Sequence, residues 1–191
     1  EMTSSLLAKM HKAGCVHISY GVESGSDSVL KAMGKVFTVQ EAEQVLRETH
    51  RAGITVSLFL IVGYPGEGEE EFAETLAFLR RCHPFISWIQ SVNMIHIWFN
   101  TDLHNKHEEL GIELPENGEG HLWRQGDNTP ELRMQRVEAV RLLAEELGIP
   151  AAINSNDEIM RSAAGLKVHI SSVTFFGEDG EEPADLRAGH E

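Results

Sequence analysis

The residues best placed to do chemistry lie in two glycine-rich turns. The first is Gly21-Val22-Glu23-Ser24-Gly25-Ser26, with Lys35 twelve residues after Glu23. Glycine permits close backbone approach, and N–H groups exposed at a helix start can accept an anion. Glu23 offers an acceptor for ribose hydroxyls or an ammonium, and Lys35 a donor for a carboxylate. The same residues also read as a plain strand-to-helix turn whose Ser and Asp residues cap a helix over 28–33. The second turn is Gly63-Tyr64-Pro65-Gly66-Glu67. Its backbone suits one side of a flat adenine, or an ordinary loop.

Other candidates carry less. His104 and His107 have i, i+3 spacing and His96 is near in sequence, but a zinc site needs three or four ligands fixed together, so a solvated face is expected and no metal ligands are assigned. Glu108 and Glu109 are expected to face solvent. Trp88, Trp98 and Trp123 are expected as core or pocket walls, because the chain lacks the basic groove of a nucleic-acid stacking platform.

The elements that must hold these turns repeat. Leu6, Leu7 and Met10 have helical spacing ending at Ala13-Gly14, a C-cap signal. "CVHISYGV" alternates like a strand. Thr38-Val39-Gln40-Glu41 is a capping box opening a helix with an apolar stripe of Val39, Ala42, Val45, Leu46 and Thr49, ending at Ala52-Gly53. "ITVSLFLIVG" is nearly all apolar, as in a strand buried on both faces. A helix follows with Phe72, Leu76 and Leu79 inward, its acidic start (Glu67 to Glu71) opposing the helix dipole. "FISWIQSVNMIHIW" reads as a long strand. Ala13-Gly14 recurs as Ala52-Gly53 after 39 residues and Gly21 as Gly63 after 42, the size of one βα unit of a barrel or open parallel sheet. Three strands are too few to close a barrel of about eight.

From residue 100 the pattern breaks into a polar, Gly-rich stretch with a short helical piece around 102–110. Thr129-Pro130 then opens a helix with Leu132, Val137, Val140, Leu143 and Leu147 on one side, ended by Gly148. "SNDEIMRSAAG" reads as a short helix, "LKVHISSVTFF" as a strand, and residues 177–191 as a disordered acidic tail.

Bulk composition bounds the function. The chain has 191 residues, enough for a real core, and a formal net charge of −14, which argues against non-specific nucleic-acid or anionic-membrane binding. No apolar run approaches the roughly 20 residues of a spanning helix. Two cysteines, Cys15 and Cys82, form neither a disulfide framework nor a metal motif, so a cytoplasmic location is expected. Residue 1 is Glu, which fits a piece of a longer protein or a chain that has lost its first residues.

Together, "GVESGSDSVLKAMGK", "AGITVSLFLIVGYPGE" and "EFAETLAFL" resemble, in order and gaps, the second half of a radical S-adenosylmethionine (radical SAM) domain. The subgroup with an upstream cobalamin-binding domain is the most similar, and its members often run on into a segment similar to "GDNTPELRMQRVEAVRLLAEELGI". The resemblance covers about residues 5–150. It implies an α/β fold, a partial (β/α) TIM-like barrel supplying the last three or so βα units of a (β/α)6 barrel over 1–100, with a C-terminal helical extension over 101–176. It also implies a function. A [4Fe–4S] cluster in the full-length enzyme cleaves S-adenosylmethionine (SAM) reductively to a 5′-deoxyadenosyl radical, and this part supplies SAM-side and substrate-side contacts. Glu23 matches a strand-end residue that contacts SAM, Lys35 a basic position directed at its carboxylate, Gly63 and Pro65 the turn near the adenine, and Ser24 lies beside Glu23 in the motif. Cobalamin is a possible further cofactor, bound outside this chain. The family's C-x-x-x-C-x-x-C is absent, as is the Gly-rich SAM-amine motif expected after the family's second strand, so the cluster ligands are expected in a missing N-terminal half and this chain alone is expected to be inactive.

Two other readings stand beside this one. A half-barrel without the cluster loop would act as a non-catalytic interaction module, its exposed apolar sheet edge favouring a partner or a homo-oligomer. A small nucleotide-binding domain would use the glycine turns as phosphate cradles, but neither G-x-G-x-x-G nor a P-loop lysine motif is present.

Overall fold

The computed structural model describes residues 2–116 and 118–153. The elements run α1 (Ser4–Lys12), β1 (His17–Glu23), α2 (Asp27–Ala32), α3 (Val39–Arg51), β2 (Thr55–Val62), α4 (Glu69–Cys82), β3 (Trp88–Met94), α5 (Asp102–Asn105) and α6 (Pro130–Glu146). The expected helix over 155–165, strand over 166–176 and acidic tail over 177–191 lie outside the described residues.

The helix signals act as local chemistry requires. Thr38 Oγ1 accepts from Glu41 N–H at 3.2 Å while Glu41 accepts from Thr38 N–H at 2.8 Å, closing the capping box of α3. Thr129 caps α6 with Pro130 at its first position. Gly14, Gly53 and Gly148 follow α1, α3 and α6 at φ of +98°, +80° and +68°, the left-handed backbone that ends a helix.

The three strands form one parallel sheet in the order β1-β2-β3, with His17 opposite Thr55 and Ser57 opposite Trp88. Parallel pairing demands a crossover, and α3 and α4 supply the two. The core lies on the helix side, where Val56, Leu58, Leu60 and Val62 of β2 pack with Leu46, Phe78, Leu79, Val137 and Val140. Burial of β2 on both faces does not hold: Phe59 stays 37% exposed and Thr55 is exposed. Among the described residues no helix covers that second face, which becomes the lumen only when a barrel closes.

Three further expectations change. The third strand ends at Met94 rather than running on to Trp98, and Ile97, Ile112 and Trp123 instead form a small separate core under the segment after it. The helical piece near 102–110 shortens to α5. After α6 the chain returns beside β3, with Ala151 bridged in parallel to Ile89 through Ile89 N–H to Pro150 O and Ala152 N–H to Ile89 O. The sheet therefore continues beyond β3 in the direction β1-β2-β3 sets.

Candidate functional site

Both glycine-rich turns leave the C-terminal ends of adjacent parallel strands, the edge where such sheets gather ligands. β1 ends with a register shift between Gly21 and Glu23, and Glu23 adopts φ +69°. That left-handed backbone is costly for a residue other than glycine. It folds the carboxylate back over Gly21, where a Cβ would stand 2.7 Å from Glu23 Oε1. Lys35 Nζ completes the arrangement, 3.3 Å from Glu23 Oε1 and donating to Gly21 O at 3.3 Å. Both side chains stay partly accessible, 18% for Glu23 and 30% for Lys35. Two candidates twelve residues apart in sequence thus form one ion pair at a strand end.

Ser24 is placed differently. It is fully buried, its hydroxyl within 3.2 Å of Thr75 Oγ1 and accepting from Ser26 N–H. Gly25 N–H donates to the same Thr75 hydroxyl, and a Cβ at Gly25 would strike Phe78 and the Thr75 backbone. Ser24 therefore anchors the turn to α4 from below. The capping reading of Ser26 and Asp27 also shifts: Ser26 makes no side-chain cap, and Asp27 Oδ1 accepts instead from Val39 N–H, at 2.7 Å, at the start of α3.

The second turn is enclosed by residues the sequence reading left aside. Gly63 has φ +72°, and a Cβ there would overlap the Arg133 side chain. Its N–H donates to Glu67 Oε2 at 2.5 Å and its carbonyl accepts from Asn128 Nδ2 at 3.1 Å. Pro65 is buried. Glu67, the last residue of this turn and the first of the acidic run, is buried and paired with Arg136 at 2.8 Å. Burial pushes its carboxyl above the usual range, against the opposing pull of the Gly63 amide and Arg136. Arg133 is fully buried over the Trp123 ring, and burial lowers its guanidinium to about 10. The turns are joined where Tyr64 donates its hydroxyl to Ala32 O at 3.1 Å, at the end of α2 and just before Lys35.

The open sheet face below Glu23 carries several polar side chains beside Phe59. The His17 ring stacks on Trp88 at 4.3 Å, with its nitrogens 3.1 Å from Thr55 Oγ1 and 3.0 Å from Ser19 Oγ. Ser57 Oγ donates to Ser19 Oγ at 2.8 Å, and Asn93 donates to Ser91. Barrel interiors are usually filled by branched apolar side chains. The alternation along "HISYGVE" carried this signal. Trp123 and Trp88 meet the expectation of core or pocket walls, whereas Trp98 is 66% exposed, its ring tilted against His96 at 4.0 Å. Among the described residues no three His, Cys, Asp or Glu side chains come together to hold a metal. Glu108 and Glu109 are exposed.

The donor set suits one cofactor and not the other. An accessible carboxylate beside an accessible ammonium matches the polar part of an amino-acid-bearing nucleoside. An iron–sulfur cluster does not fit: Cys15 precedes β1 at the opposite edge of the sheet and Cys82 is buried in α4, its thiol pushed up to about 12 by burial.

Residues 2–79 match the model of the Radical SAM superfamily. Threonylcarbamoyladenosine tRNA methylthiotransferase MtaB of Bacillus subtilis is 39% identical over 71 residues, 36% of this chain and 16% of that protein. The chain thus spans about a sixth of that relative's length. The fold is that of solved radical SAM proteins. Coproporphyrinogen III oxidase (HemN) of Escherichia coli superposes with TM-score 0.57 at 16% identity, over 78% of this chain and 30% of that one. The methyltransferase TsrM of Kitasatospora setae gives 0.53 at 13% identity, over 86% and 43%. The three-stranded sheet is therefore part of a TIM-like barrel, as the sequence led one to expect.

Proposed function

We propose that this chain forms the SAM-facing and substrate-facing part of a radical SAM enzyme whose cluster ligands lie outside it. The observation that carries this reading is the Glu23–Lys35 pair, folded over Gly21 at a strand end of a radical SAM barrel segment. In the bound state the two side chains separate toward the cofactor, Lys35 taking the methionyl carboxylate and Glu23 the amine or ribose hydroxyls. Ser24 holds the first turn in place, and the turn of Gly63 and Pro65 borders the adenine end. The [4Fe–4S] cluster and SAM supply the radical chemistry, which is the cofactors' own, while the protein orients and excludes water. Cobalamin, bound by a further domain, belongs to the same proposal through the subgroup resemblance. The named relative acts on a tRNA; the net charge of −14 argues against non-specific nucleic-acid binding by this chain.

The test is anaerobic reconstitution of the longer protein with iron and sulfide, followed by reduction in the presence of SAM. Formation of 5′-deoxyadenosine is expected. A cluster-loaded protein that leaves SAM intact would refute the reading.

One observation favours the interaction module instead. Among the described residues β1 pairs only with β2, and beside it lies a groove of about 680 Å³ bordered by Tyr20, Val36, Phe37 and Val45, with Val36 fully exposed. Sedimentation of the protein distinguishes this reading. A stable dimer, with no SAM cleavage by the longer protein, would support it; a monomer would count against it.

A further inference from the structure

α6 carries two arginines on its inward face, Arg133 and Arg136, each no more than 3% exposed. Burying guanidinium groups is expensive and contributes little net stability even when they are paired. The three buried side-chain atoms without a hydrogen-bond partner among the described residues, Glu67 Oε1, Arg133 Nε and Arg136 Nε, all belong to this one network. Apolar side chains would pack α6 at lower cost, so the arginines are there for what they hold in place.

What they hold is the turn after β2. Arg133 donates through one nitrogen to Asn128 O at 3.2 Å and Asn128 Oδ1 at 3.1 Å. With its oxygen engaged there, the Asn128 amide must aim Nδ2 the other way, at Gly63 O (3.1 Å) and Tyr64 O (3.3 Å). The second guanidinium nitrogen donates to His121 O and Trp123 O. Gln125 Oε1 accepts from Gly66 N–H at 2.8 Å, while its amide nitrogen donates to Leu110 O. Arg136 fixes Glu67, which in turn takes the Gly63 N–H. Gly63, Tyr64 and Gly66 are thus held by residues from beyond β3.

We propose that Arg133, acting through Asn128, is a positioning residue for the cofactor-side turn Gly63–Glu67, and that it joins the 121–128 segment to that turn as one body. The proposal rests on the radical SAM reading above. Its physical content is pre-organisation: a turn already ordered binds its ligand without a further ordering cost.

The test compares Asn128→Ala with Val140→Ala in the cluster-loaded full-length protein. Val140 is buried in the same helix, two turns beyond Arg133. Asn128→Ala is expected to raise the KM for SAM about tenfold with kcat for 5′-deoxyadenosine formation within about threefold, and Val140→Ala to lower the unfolding temperature without moving KM. Should Asn128→Ala fail to fold, Gln125→Ala reads the same turn through Gly66, with a rise of about threefold expected. An unchanged KM in a folded variant would overturn this inference and leave the enzymatic reading intact. A wild-type protein that makes no 5′-deoxyadenosine would overturn both.

Discussion

Glu23 and Lys35 meet 3.3 Å apart over Gly21, and the missing side chain of Gly21 is the space the carboxylate occupies. The pair is partly exposed, so it adds only about 0–1 kcal/mol to stability. Its value lies in keeping one acceptor and one donor at a strand end. Glu23→Gln and Lys35→Met are each expected to shift the unfolding temperature by less than about 3 °C. Each is expected to weaken SAM binding about tenfold or more in the longer protein, the scale of a lost charge-assisted hydrogen bond. Calorimetric titration with SAM, alongside thermal unfolding, checks both halves.

Gly21→Ala probes the same space. The new methyl group would push away Glu23 Oε1, the far end of a flexible side chain, so the fold should lose less than about 1 kcal/mol. SAM affinity should fall as far as in Glu23→Gln. Adding Gly21→Ala to Glu23→Ala should then change little, because the displaced group is gone. Equal and additive losses in the double variant would show that Gly21 matters for another reason.

Gly63→Ala is expected to be far more damaging. Its φ of +72° disfavours any side chain, and the added Cβ would meet the Arg133 stem, which is enclosed by Trp123 and Asn128. A cost of about 2–4 kcal/mol follows from backbone strain and overpacking together, or roughly 5–15 °C in unfolding temperature. Differential scanning calorimetry of the full-length variant measures it.

The two cysteines should differ in reactivity. Cys82 is buried, and burial followed by the nearby Glu43 raises its thiol from 9.0 to about 12, so it stays protonated at pH 8. Iodoacetamide should label Cys15 in the native protein and both residues in denaturant. A raised folded-state value means that the native state holds the proton longer than the unfolded chain. The corresponding stabilisation is complete below pH 9.0 and is lost as the pH rises toward about 12. Cys82→Ala should flatten that alkaline decline, measured by chemical denaturation across pH 8–12.

Much of the frame was readable from residue types. The Thr38–Glu41 box, the Thr129-Pro130 start of α6 and the terminating glycines act within a few residues of themselves, so local chemistry suffices to place them. β1 and β2 follow from alternation and apolar runs. Glu23 and Lys35 stood out because a glycine turn and a following helix set their distance through the chain itself. Arg133 and Arg136 could not be found in this way. Charged residues on a helix ordinarily face solvent, and only the packing of α6 against the β2 turn buries these two. The Ala151 bridge to Ile89 is likewise invisible locally, since Ile149–Ala152 is too short to show a period.

The sequence alone determined the βα repeat, the strand-end turns and the lack of cluster ligands, because glycine, caps, hydrophobic period and cysteine count act locally or by simple presence. The tertiary structure decided which of those turn residues face outward. It left Glu23 and Lys35 accessible, buried Ser24 against Thr75, and enclosed Gly63 under Asn128 and Arg133. The last two outcomes depend on contacts across 50 and more residues, for which no local pattern exists.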